Sequence, residues 1–199
     1  MKNVSIRKIL QVLYYIQSHA PEGAKKTDIM YLLKMVFFAV RYHLRNYGTP
    51  YMNVHFFAMK NGPVASEVKD VLEHKQPLNA NTAETQLLNE IESIGDYDYE
   101  IKNQDCDELS PSFIEALDFA LERFGNYGPF ELSDISHCYP EWKKQESSLS
   151  TVKRRVMKYE DFFEDPQGLV IITADPFADD REFLDSLKQD FCVQNAISC

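Results

Sequence analysis

Phe56-Phe-Ala-Met-Lys60-Asn-Gly62-Pro63-Val64-Ala-Ser-Glu67-Val-Lys-Asp-Val-Leu-Glu73 decides how this chain is read. An apolar run with strand character stops at Lys60, and Asn61-Gly62 turns the chain. Pro63 has a fixed φ and no N–H to lose, so it can open a helix. Val64, Val68, Val71 and Leu72 would then line one side of that helix. No P-loop, dinucleotide fingerprint or G-x-S-x-G elbow competes with this stretch for attention.

Upstream, Ile6, Ile9, Leu10, Leu13 and Ile16 follow helical spacing over 4–20, and Pro21 with Gly23 ends the element. Thr27 can cap the next helix, and Asp28 suits its positive end. That helix runs to about Asn46, with Gly48 and Pro50 closing it. It is apolar nearly all round, which predicts a central, buried helix. Lys34, Arg41 and Arg45 form its main polar ridge. They read either as a solvated ridge whose stems cover apolar neighbours or as a basic contact surface.

Downstream, residues 75–86 are polar and turn-rich and read as a loop. Leu87, Leu88, Ile91 and Ile94 suggest a short helix. Tyr97, Tyr99 and Ile101 alternate with charged residues, so a half-buried strand is expected that can pair with 53–60. Ser110-Pro111 and Gly128-Pro129 are helix starts. Residues 150–163 read as helical, Leu169–Thr173 as a short strand, and 179–193 as an amphipathic helix. The fold class is α+β, predominantly α-helical: a helical bundle around a central apolar helix with a small antiparallel β-sheet. The expected layout is a domain over 1–165, with 166–199 a strand–helix extension packed on it.

The 199 residues carry a net charge of −10, unevenly spread. Residues 1–75 hold 11 Lys/Arg against 5 Asp/Glu, and 76–199 hold 10 against 26. The acidic remainder argues against nucleic acid as the main partner, because phosphate binding wants net positive charge. A DNA-binding regulator using the basic first half stays as the alternative. Cys106, Cys138, Cys192 and Cys199 form no C-x-x-C pair and read as reduced thiols of a cytoplasmic protein. The N-terminus lacks a signal-peptide pattern, and no apolar run approaches a membrane span.

Three pieces resemble the Panacea domain, the SocA-like antitoxin family that includes phage-associated GepA-like proteins. Leu32-Leu33-Lys34-Met35-Val36-Phe37-Phe38-Ala39 is similar to the family's L-x-K-L-L-Y-x-A helix. Ala58 to Val64 is similar to its K-Y-G-P-V motif. Leu109 to Gly125, then Glu131-Leu-Ser-Asp-Ile-Ser-His137 and Pro140-Glu-Trp142, is similar to its helix, E-L-S-x-x-T-H and proline-tryptophan pair. Asn61 stands where the family usually has an aromatic residue, Phe37-Phe38 replaces Leu-Tyr, and Ser136 replaces threonine. The resemblance implies a cytosolic bacterial or prophage antitoxin that binds its cognate protein toxin directly. Some members are proposed to act as adaptors that deliver the toxin to an ATP-dependent protease. It implies no cofactor and no catalytic step.

Lys34, Arg41, Lys60, Gly62, Pro63, Val64, Glu131 and Trp142 are the candidate partner contacts. Each has a structural reading beside it. Gly62 turns the backbone and Pro63 starts an element. Lys60 and the free N–H groups after it can hold an anionic group. Glu131, Asp134 and His137 share a helical face, which reads as a cap or hydrogen-bond set and, less economically, as a metal or acid–base site. Trp142 is either a core anchor or an interface hot spot.

Overall fold

The computed structural model describes residues 4–75, 82–102, 104–166, 175–177 and 179–196. In chain order the elements are α1 (Ile6–His19), α2 (Ile29–Tyr47), β1 (Phe56–Met59), β2 (Gly62–Ala65), α3 (Ser66–Leu72) and α4 (Thr82–Gln86). There follow β3 (Ile91–Ser93), β4 (Tyr99–Ile101), α5 (Pro111–Phe124), α6 (Pro129–Ser136), α7 (Pro140–Lys143), β5 (Arg155–Val156) and α8 (Arg181–Asn195). The fold is α+β and predominantly helical, as the periodicity predicts.

The apolar helix α2 is the axis. Asp28, not Thr27, is its N-cap and accepts from the N–H groups of Met30 and Tyr31. Thr27 donates instead to Asp98 at 2.9 Å. Gly48, at φ +68°, closes the helix in the left-handed region. α5 packs along α2, and α1 and α6 flank it. Phe38 stacks on Phe124 at 3.9 Å, while Phe37 meets Phe56, Tyr139 and Phe162. Trp142 hangs from the hairpin by an indole N–H donated to the Met59 carbonyl at 3.0 Å.

The Gly-Pro stretch differs from its sequence reading. Lys60-Asn61 makes a tight turn, and Gly62–Ala65 returns as β2, antiparallel to β1. Pro63 therefore lies in a strand, and the helix begins only at Ser66. β2 is an edge of the β2-β1-β5 sheet, where proline's missing N–H costs least. Gly62 takes φ +95°, which a residue with a Cβ rarely adopts.

Other expectations are corrected by long-range pairing. The strand at 99–101 pairs with Ile91–Ser93, not with 53–60. Leu87–Glu90 is a 3₁₀ turn, and Ile91 and Ile94 do not extend it. The helix expected over 150–163 is two 3₁₀ turns around β5, because β1 captures Arg155 and Val156 on its open edge. Of the loop read at 75–86, Thr82–Gln86 is helical, and 76–81 lie outside the described residues. The strand read at Leu169–Thr173 also lies outside them.

The polar ridge of α2 is not solvated. Lys34, Arg41 and Arg45 are all buried. Arg41 pairs with the equally buried Glu141 at 2.7 Å, donates to the Glu164 carbonyl at 2.8 Å, and lies over the Tyr139 ring. Arg45 donates to the carbonyls of Phe162, Glu164 and Phe177 and to the carboxylates of Asp165 and Asp179. Each arginine thus ties α2 to chain more than a hundred residues downstream in sequence.

Cys106 and Cys138 are free thiols. Cys192 is disulfide-bonded. That corrects the reading of four reduced cysteines: the lack of a C-x-x-C pattern does not preclude a disulfide. The thiols therefore no longer argue for a reducing compartment. Among the described residues, no helix is long and apolar enough to cross a membrane.

Candidate functional site

The three sequence landmarks converge on one place. The Lys34 ammonium, midway along the buried helix, donates to the Pro63 carbonyl at 3.0 Å. Gly62 sits against it: a Cβ there would lie 2.9 Å from Lys34 Cε and 2.5 Å from Ser136 Oγ. Glycine is thus needed twice, for its φ and for the close approach of α2 and α6. Ser136 is held by its own hydroxyl, donated to the Ser133 carbonyl at 2.6 Å. His137 stacks on Trp142 with ring centroids 3.7 Å apart.

Burial sets the electrostatics. Loss of water around Lys34 lowers its pKa from 10.5 to about 7, so it is only half charged near neutrality. Burial and then the nearby Lys34 hold His137 down at about 4. Its Nε2 is buried without a hydrogen-bond partner among the described residues. A charged His137 beside a charged Lys34 would be costly, so the imidazole stays neutral.

In front of this cluster opens a groove of about 830 Å³. Its apolar floor comes from α2 (Ile29, Met30 and Leu33) and from Met59 and Val64 of the hairpin. Lys34 reaches this floor, and Lys60 and Asn61 form the lip at the turn. Lys69 and Glu73 of the α3 region close one side, where they pair with each other. The backbone before β4 docks on the start of α2, with Ile29 N–H donating to the Tyr97 carbonyl and Tyr99 N–H to the Thr27 carbonyl. That docking brings Tyr97 and Asp98 to the rim. The Gly128-Pro129 start of α6 brings Phe130. Phe130 is 75% exposed and Tyr97 70% exposed, unusual for rings this size.

The eight sequence candidates separate on this map. Lys34, Lys60 and Val64 line the groove, whereas Gly62 and Pro63 do not line it but hold Lys34 in place. Trp142 is buried and braces the hairpin. Arg41 lies in the core on Glu141. Glu131 is exposed, and its carboxylate accepts from the Gly128 N–H at 2.8 Å, so it caps α6. Glu131 and Asp134 face solvent while His137 turns onto Trp142. Among the described residues no group of three or more His, Cys, Asp or Glu could hold a metal ion. Phe130 and Tyr97 were not singled out as contacts from sequence. Phe130 sits at the second position of its helix, and Tyr97, expected on the apolar side of a half-buried strand, lies before β4 and is exposed.

The architecture is that of a helical α+β domain with a lysine-floored groove at its hairpin. Residues 32–143 match the family model described as antitoxin SocA-like, Panacea domain, and the chain belongs to that family. Neither a curated protein nor a solved structure matches it.

Proposed function

We propose that this protein is an antitoxin that neutralises a cognate toxin by direct protein–protein binding, using the groove face around Lys34, Lys60 and Val64. Family membership over 32–143 supports a toxin partner. The observation that carries the choice of face is the meeting of all three family landmarks behind one open groove rimmed by exposed Phe130 and Tyr97. Apolar and aromatic groups around a partly desolvated charge are the usual makings of an interface hot spot. Neutralisation would work by occlusion: the partner's working surface is covered, and no bond is made or broken in the antitoxin. Delivery of the bound toxin to an ATP-dependent protease is the further step the family resemblance implies.

The test is co-expression with the product of the adjacent reading frame. The wild-type chain should restore growth and co-purify with that product. Phe130→Asp combined with Val64→Asp, which adds charge at exposed or half-exposed positions, should lose both while the fold is retained. Rescue and co-purification at wild-type levels by this variant would rule out the groove face. Toxin half-life in cells with and without the chain reads the protease step.

A further inference from the structure

The charges that line the groove do not balance one another. Asp28 is occupied by capping α2, Asp98 accepts from Thr27, and Glu73 pairs with Lys69 and Lys75. The lysines are left over. Among the described residues, Lys25, Lys34 and Lys60 pair with no carboxylate, and Lys34 has one backbone carbonyl as its acceptor. An ammonium has three donors, so a nearly fully buried lysine with one acceptor is under-satisfied. The groove therefore has an apolar floor, two aromatic edges and, among the described residues, three lysines without a direct carboxylate partner, which outnumber the two carboxylates, Asp28 and Asp98, held only by neutral donors.

We infer that this groove receives an acidic, apolar segment of the partner toxin, with one of its side-chain carboxylates seated on Lys34. The inference rests on the antitoxin reading and specifies the chemistry of its contact. Three lysines spread along one groove call for more than one carboxylate, which a chain terminus does not supply. The exposed rings of Phe130 and Tyr97, and the Met30, Leu33 and Val64 floor, favour a polypeptide over a phosphate polymer. A carboxylate arriving in this desolvated place removes the reason for Lys34 to lose its proton. Binding near neutral pH then takes up a proton. The other charged groups facing the groove do not mimic this: Lys69 and Glu73 are paired, Asp28 and Asp98 are hydrogen-bonded, and His137 is held neutral well below pH 6.

The experiment is calorimetric titration of the full chain with the purified product of the adjacent reading frame, at pH 7.5 in PIPES and in Tris. The difference in heat between the two buffers counts protons. The wild type should take up roughly half to one proton per complex, as expected for a group with a free pKa near 7. Lys34→Met should abolish the uptake and weaken binding about tenfold or more. Lys25→Glu with Lys60→Glu changes only exposed side chains, so it should fold and should also weaken binding about tenfold or more. A wild-type complex with no proton uptake, and both variants binding within about twofold of it, overturns this inference and leaves the antitoxin reading standing. Absence of any wild-type complex overturns both. Displacement of the product from the wild type by inorganic phosphate or single-stranded RNA would show a phosphate site instead, and would also overturn it.

Discussion

The Lys34 ammonium and the Pro63 carbonyl are joined by a 3.0 Å hydrogen bond across 29 residues of sequence. It ties the central apolar helix to the hairpin at the one point where Gly62 lets the backbones come close. A lysine placed there is unfavourable for stability, since its charge is taken out of water for a single neutral acceptor. A position that spends stability in this way at the back of a groove is more readily explained by binding than by folding.

That cost has a sign that can be measured. The folded-state pKa of Lys34 is lowered to about 7, below its ordinary value of 10.5. Between those values the unfolded chain holds the extra proton, so this group makes stability rise with pH from about 7 to about 10.5. Below pH 7 its full penalty is present, at most about 5 kcal/mol. Lys34→Met should therefore be more stable than wild type at pH 6.5, with the gain shrinking towards pH 10. Urea unfolding of both proteins across that range checks it, and a pH-independent difference would refute the lowered pKa.

Acid should act through His137. Its pKa is depressed from 6.5 to about 4, so the unfolded chain takes up the proton first and stability falls as pH drops from 6.5 towards 4. His137→Asn should flatten that part of the pH–stability curve. NMR titration of the imidazole should give an inflection well below pH 6.

Gly62→Ala should destabilise the chain by about 2 kcal/mol or more, from backbone strain at φ +95° and from the clash with Ser136 Oγ. Ser136→Gly in the same chain should recover part of the loss, because it removes the nearest obstructing atom. Additivity of the two changes in a double-mutant cycle would mean the contact carries no weight.

Much of the helical frame was legible in the sequence. The α2 and α5 faces follow from apolar spacing, and Ser110-Pro111 does begin a helix. The hairpin was half legible. Asn61-Gly62 announces a turn, but Gly62-Pro63 carries the same local signature as a helix start. What decides for a strand is the edge of β1, a partner that local spacing does not encode. Arg41 and Arg45 were misread for a related reason. A 3.6-residue period identifies a polar ridge but not its cover, and the covers, Glu141, Phe162, Glu164, Asp165, Phe177 and Asp179, lie about a hundred residues or more away. Lys34, Lys60 and Val64 of the groove were named from sequence. The exposed rings of Phe130 and Tyr97 needed the docking of β4 and α6 on α2 to be noticed.

The arginines make their own prediction. Glu141→Gln keeps the shape of the carboxylate but leaves the Arg41 charge buried without its counter-ion, which should cost about 3–5 kcal/mol. Arg41→Met with Glu141→Leu removes both charges and should be far milder than the single change. Thermal unfolding of the wild type and these two variants separates a buried ion pair from a dispensable contact.

Hydrogen exchange on the chain alone and in complex with the product of the adjacent reading frame addresses the proposed binding face most directly. Slowed exchange should be concentrated at the 58–64 hairpin, around 97–99 and at 129–131, the segments that frame the groove. Protection confined to α1 or α8, with those segments exchanging as fast as in the free chain, would contradict the account.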